Sequence, residues 1–211
     1  MTTATERQAP ATPVAENSTA RRPLRVVGVS GSLHEPSKTT ALVAEIIEAV
    51  AERVPVDSRL IELTELGPHL AGALRREDLP AHVEDALVDI ESADLLVVAS
   101  PVYRASFTGL FKHLFDFVGQ YALVGQPVLL AATGGGERHA LIIEHQLRPL
   151  FGFFQSLTLP LGVYASTADF DGYRLREDGT IHERISQAVT RGLPLVEQAA
   201  HQRVSEYVSI W

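Results

Sequence analysis

Three short runs of this chain have the residue types and spacing to do chemistry. The first is Ser30-Gly31-Ser32-Leu33-His34-Glu35-Pro36-Ser37-Lys38-Thr39-Thr40, dense in hydroxyls and leading into a helical pattern. The free N–H groups and dipole of a helix N-terminus attract anions. Ser32, Ser37, Thr39 and Thr40 offer hydroxyls to phosphate oxygens, and Lys38 and His34 offer positive charge. Ser37 or Thr39 also suits the helix cap, a role compatible with phosphate contact. The second run is Ser100-Pro101-Val102-Tyr103-Arg104-Ala105-Ser106. Proline holds its predecessor extended and stiffens the turn. Backbone groups of Val102, Tyr103 and Arg104 are then fixed well enough to meet a ring edge, although an ordinary loop with a half-buried tyrosine reads the same way. The third run, Thr133-Gly134-Gly135-Gly136, permits close backbone approach to a ligand, or is simply a flexible turn. Neither G-x-x-x-x-G-K-[ST] nor a G-x-G-x-x-G after the first strand is present, which argues against a P-loop NTPase and the dinucleotide fingerprint.

The elements that must position these runs emerge from periodicity. Strands are predicted at 24–30, 56–63, 94–100, 126–132 and 159–165. Helices are predicted at 39–53, 80–92, 107–118, 140–154 and 181 to about 201. The third strand, Asp94-Leu95-Leu96-Val97-Val98-Ala99-Ser100, is nearly all apolar, as a strand covered on both faces must be. Strand and helix alternate five times. That pattern predicts an α/β fold: a doubly wound, five-stranded parallel sheet of flavodoxin-like order 2-1-3-4-5, with helices on both faces. In such a sheet the ligand lies beyond the carboxyl ends of the strands. All three runs fall there, after strands one, three and four. A hydroxyl-rich loop after the first strand suits a mononucleotide monophosphate, and FMN is the common one in this architecture.

Composition narrows the chemistry. The chain has 211 residues and no cysteine, so disulfides, thiolate metal sites and cysteine nucleophiles are excluded. Redox work must use a borrowed cofactor. With 18 Lys+Arg against 26 Asp+Glu the net charge is −8, which argues against nucleic acid as a partner. No apolar run approaches the roughly 20 residues of a membrane span. Residues 1–23 are Ala, Thr, Pro and polar side chains without an apolar segment. They read as a disordered extension rather than a secretory signal, with a cytoplasmic location expected. Residues 24–211 form a single domain. His69, His82, His113 and His139 lack metal-ligand spacing.

Taken together, G-S-L-x-x-x-S-K-T-T at 31–40, S-P-V-Y-R-A-S-F-T-G-L-F-K at 100–112 and A-T-G-G-G at 132–136 resemble the NAD(P)H-dependent FMN reductases. The resemblance runs from about Leu24 to Ala168. It is strongest to the flavin reductases of two-component alkanesulfonate and methanesulfonate monooxygenase systems. It implies hydride transfer from NADH or NADPH to FMN, with reduced flavin passed to a partner monooxygenase. Ser32, Ser37, Lys38, Thr39 and Thr40 would hold the FMN phosphate. Pro101, Val102, Tyr103 and Arg104 would line the isoalloxazine, and Thr133, Gly134 and Gly135 its pyrimidine end. His34 stands where family members often carry Arg. The helix with Gly109, Lys112 and Asp116 would pack in a homotetramer or homodimer.

The resemblance also singles out His145. Alkanesulfonate-type relatives carry a tyrosine there, within a π-bulge at a subunit interface, and His145 is expected to tune whether flavin leaves after reduction. No acid, base or nucleophile is assigned, because the cofactors carry the chemistry. Tyr103 is the one aromatic in a candidate ring loop and Trp211, the one tryptophan, is terminal, so exchangeable flavin is expected. Two other classes share these loops: reductases with bound FMN that act on quinones, azo dyes or chromate, and flavodoxin-like electron carriers.

Overall fold

The computed structural model describes residues 22–202. Residues 1–21 of the extension expected at 1–23, and the terminal Trp211, lie outside the described residues. Arg22 is described: its guanidinium donates to the Asp94 carboxylate at 2.6 and 2.8 Å, beside the start of the first strand.

The elements are β1 (Leu24–Ser30), α1 (Lys38–Ala51), β2 (Val56–Glu62), α2 (Leu63–Leu70), α3 (Ala81–Ser92), β3 (Leu95–Pro101), α4 (Gly109–Asp116), β4 (Pro127–Gly134), α5 (Arg148–Phe153), β5 (Leu157–Thr158), β6 (Val163–Ser166), β7 (Phe170–Asp171), β8 (Arg174–Leu175) and α6 (Ile181–Gln202). The sheet runs β2-β1-β3-β4-β5, all parallel, the order read from the sequence. Alternate strand residues enter two cores. Val26, Leu95, Val97, Leu129 and Ala131 pack with Leu42, Ile46 and Ile185, under α1 and α6. Val27, Val29, Leu96, Val98 and Leu130 pack with Leu87, Phe111, Phe115 and Phe151, under α2 to α5. Each fully buried Leu or Phe contributes about 1.5–3 kcal/mol of transfer free energy.

Register is what makes the site. Ser30 pairs with Glu62 and with Ala99, Ser100 with Ala132, Pro101 with Thr133, and Thr133 with Ala165. The carboxyl ends of β2, β1, β3, β4 and β6 therefore line one edge.

Three features depart from the sequence reading. The fifth strand is two short pieces, β5 and β6, both paired to β4. Between them the register slips by two residues, with Val128 opposite Thr158 but Ala131 opposite Val163. Helix α2 was not expected, because Gly67-Pro68 hides its stripe of Leu63, Leu66 and Leu70, all buried. The helix expected at 140–154 is a π-helical turn, Ile143–Leu147, leading into the six residues of α5. The Arg148 N–H reaches the Ile143 carbonyl, five residues back. On the outer face, between α4 and α5, Phe153 is 62% exposed beside Lys112 and Asp116, the residues that the resemblance places at a homo-oligomer contact.

Candidate functional site

The β1–α1 loop is built around the cap of α1. Ser37 is the N-cap, and its Oγ accepts the Thr40 N–H at 3.1 Å. The N–H groups of Lys38 and Thr39, in the first turn, have no partner within the helix and face the sheet's carboxyl edge. The Ser32 hydroxyl donates to the His34 carbonyl at 3.1 Å, and His34 itself is exposed. Lys38 makes no ion pair among the described residues; its Nζ lies 5.5 Å above the Phe170 ring.

Besides Ser32, whose hydroxyl already donates to the His34 carbonyl, two expected phosphate hydroxyls are bonded within the protein. Thr39 Oγ1 shares a 2.6 Å hydrogen bond with Thr133 Oγ1 inside the protein. Thr40 Oγ1 donates to Glu62 Oε2 at 2.8 Å and meets Ser30 Oγ at 2.8 Å. Both threonines thus anchor α1 to strand ends. What they leave for a ligand is the Thr39 backbone N–H, since that of Thr40 is held by Ser37 Oγ.

The second loop is stitched to the first. Thr108 caps α4, and its hydroxyl donates to the Gly31 carbonyl at 2.9 Å. Its N–H donates to Ser100 Oγ at 3.1 Å. Beyond Pro101, the Val102 N–H donates to the Thr133 carbonyl at 2.8 Å. Tyr103 and Ser106 then exchange two backbone hydrogen bonds, of 2.8 and 3.0 Å, closing a tight turn. Its central residues, Arg104 and Ala105, stand at φ 50° and 66°. Left-handed backbone at two non-glycine residues costs on the order of 1 kcal/mol or more each and collects at functional loops. Tyr103 is 41% exposed at its base.

The third loop is shaped by Tyr164, whose hydroxyl donates to the Gly136 carbonyl at 2.7 Å. A Cβ at Gly134 would stand 2.2 Å from that hydroxyl, so only glycine fits. A Cβ at Gly135 would meet nothing within 4 Å, so this backbone opens outward. Burial raises the Tyr164 pKa first, and Glu137 and Asp169 push the same way, which keeps the phenol protonated as a donor. The π-helical turn borders the second loop: Ser106 Oγ donates to Gln146 Oε1 at 3.1 Å, while His145 is exposed. Glu144 beside it is held below the usual carboxylate range by hydrogen bonds from Arg148.

The structure thus brings Ser32, His34, Ser37, Lys38, Pro101, Val102, Tyr103, Arg104, Thr133, Gly134 and Gly135 to one edge. The sequence reading missed Glu62, Thr108, Gln146, Tyr164 and Phe170. Only Glu62, at a predicted strand end, carried a signal that would have found it. Among the described residues no group of three or more His, Asp or Glu is arranged to hold a metal, and no helix is long and apolar enough to cross a membrane.

The model of the family described as NADPH-dependent FMN reductase matches residues 24–171, the span that holds all three loops. The chain belongs to this family. Among curated members, an FMN reductase (NADPH) of Pseudomonas aeruginosa is 54% identical over 173 residues, covering 82% of this chain and 92% of its own. The NADH-dependent FMN reductase SfnE of Pseudomonas putida is also 54% identical over 173 residues, with the same coverage. An oxidoreductase from Corynebacterium diphtheriae, solved by X-ray crystallography, is 35% identical with a TM-score of 0.75, over 83% of this chain and 98% of that one. FMN reductases with either nicotinamide cofactor in their names thus stand equally near this chain.

Proposed function

We propose that this protein is an NAD(P)H-dependent FMN reductase that supplies reduced flavin to a partner monooxygenase, of the two-component sulfonate type, in the cytoplasm. The observation that carries this reading is the shared edge. Unpartnered first-turn N–H groups and Lys38 stand at one end, an exposed Tyr103 turn in the middle, and the open Gly135 backbone at the other. These donors and this open space fit FMN. Ser32, Ser37, Lys38 and the N–H groups of Lys38 and Thr39 would hold its phosphate. Pro101 to Arg104 would line the ring, and Thr133 to Gly135 would meet its pyrimidine edge. When bound, FMN accepts a hydride from the nicotinamide. The exposed cations Arg104 and Arg138 are available to a 2′-phosphate.

The test is steady-state oxidation of NADH and NADPH with and without excess FMN, beside the flavin content of the purified protein. A nearly colourless protein whose activity depends on added FMN is expected, because one exposed tyrosine is the only aromatic of the ring loop. A stoichiometrically yellow protein that reduces quinones or chromate without free flavin would favour a bound-FMN reductase. Slow nicotinamide oxidation under every condition would favour an electron carrier.

His145 lies in the π-helical turn, in agreement with the resemblance, and is exposed in the single chain. Our reading is that it tunes flavin release. His145→Ala is then expected to change the flavin retained through purification; unchanged flavin content with unchanged kinetics would remove this role.

A further inference from the structure

The backbone turn that carries Tyr103 is costly by itself. Arg104 and Ala105 both adopt left-handed backbone, where a Cβ is disfavoured, and neither is Gly, Asn or Asp. Two backbone hydrogen bonds close the turn, but they hold only its base. A side-chain hydrogen bond ties it to the rest of the protein: Ser106 Oγ to Gln146 Oε1, 3.1 Å, across 40 residues. Gln146 belongs to the π-helical turn. There Ile143 and Leu147 are buried and His145 and Glu144 are exposed, while Gln146 is half-buried and directed at the loop. A π turn adds one residue to the helical circuit and so rotates the C-terminal part of the helix relative to the N-terminal part. The added residue lets Ile142, Ile143 and Leu147 all stay in the core while an amide remains for Ser106.

We propose that Gln146 is a positioning residue for the flavin ring: through Ser106 it holds the Tyr103–Ser106 turn in the shape that meets the isoalloxazine. The π-helical turn and the ring loop are then one mechanical unit. This rests on the reading of the protein as an FMN reductase. Gln146 touches no reacting atom and acts only on how much of the population has the loop in place before flavin arrives. Loss of pre-organisation raises the apparent dissociation constant by the inverse of the competent fraction.

The test uses Ser106→Ala, Gln146→Leu, the double variant and Gln146→Glu, which keeps an acceptor. Each single removal is expected to raise the KM for FMN about three- to tenfold, the range set by one neutral hydrogen bond. The kcat at saturating FMN should stay within about twofold, because bound flavin restores the turn. The double variant should be no worse than either single, since both remove the same bond. Gln146→Glu should keep the wild-type KM. Titration of oxidised FMN by fluorescence should show the same ranking without turnover. Wild-type KM values in both single variants, or losses that add in the double variant, would overturn the proposal. So would a loss of kcat and of thermal stability with KM unchanged, the signature of a merely structural contact. Failure of the underlying reading is seen separately, as a wild-type protein that neither binds nor reduces FMN.

Discussion

Lys38→Met should raise the KM for FMN roughly 10- to 100-fold while leaving the reduction of riboflavin, which lacks the phosphate, unchanged. The magnitude comes from chemistry. A hydrogen bond to a charged group contributes about 1.5–3 kcal/mol, and each 1.4 kcal/mol is about tenfold in affinity. Position gives the direction. Lys38 is the first residue of α1, next to the free N–H groups of its first turn, where dipole and ammonium act on the same anion. No carboxylate pairs with it among the described residues, and its Nζ lies 5.5 Å over the Phe170 ring, so its charge is not neutralised by an ion pair and is available to a ligand. The hydroxyls of Thr39 and Thr40 cannot compensate, because they are bonded to Thr133, Ser30 and Glu62. Methionine keeps much of the length of the side chain and removes only its charge at a partly exposed position, so stability should change little. Steady-state kinetics with FMN and riboflavin as alternative acceptors decide the point. Equal losses with both flavins would mean that Lys38 does not act on the phosphate.

The strand ends, and with them the three loops, were legible in the sequence for a physical reason. A parallel strand covered on both faces must be a continuous apolar run, so 95–99 and 127–132 announce themselves, and the loop after each must lie at the carboxyl edge. Hydroxyls, proline and three glycines at those places then carry their own chemistry. What was not legible is direction. Thr39 looks like a phosphate ligand from its place in a hydroxyl-rich loop, but its oxygen turns inward to Thr133, 94 residues away, a pairing that exists only once β1 and β4 share a sheet. Thr108 falls inside the helix expected at 107–118 but caps α4 instead, and that its hydroxyl ties down Gly31 depends on register. Pro160 and the Gly67-Pro68 pair mislead in opposite ways. The first lies in the register slip of a strand that hydrophobicity continues, and the second sits within a helix that local propensity would end. In α2 the burial of Leu63, Leu66 and Leu70 supplies the free energy that overrides the local signal.

Gly31→Val should be among the most damaging single substitutions outside the core, at about 3 kcal/mol of stability and a fall in Tm on the order of 6–12 °C for a chain of this size. Gly31 leaves β1 under the first phosphate-loop residues, with its N–H bonded to the Ala99 carbonyl at 2.7 Å. A Cβ there would lie 2.8 Å from Phe111 Cδ2, 3.1 Å from the Ala99 carbonyl oxygen and 3.2 Å from Ser100 Cβ. None of these can give way cheaply. Phe111 is fully buried between Phe107 and Phe115, with ring centroids at 5.7 and 4.9 Å. Ala99 is in the central strand, and its carbonyl accepts Gly31's own N–H. Relief therefore requires the ends of β1 and β3 to part, which also strains the Thr108 bond to the Gly31 carbonyl that joins the first two loops. Affinity for FMN should fall together with stability, whereas Lys38→Met lowers affinity alone. Gly109→Ala is the matched control: its Cβ meets nothing within 4 Å, so its stability should stay within about 0.5 kcal/mol of wild type. Thermal melts with and without FMN read both quantities, and a Gly31→Val protein that melts with the wild type would mean that β1 and β3 can separate at this edge without cost.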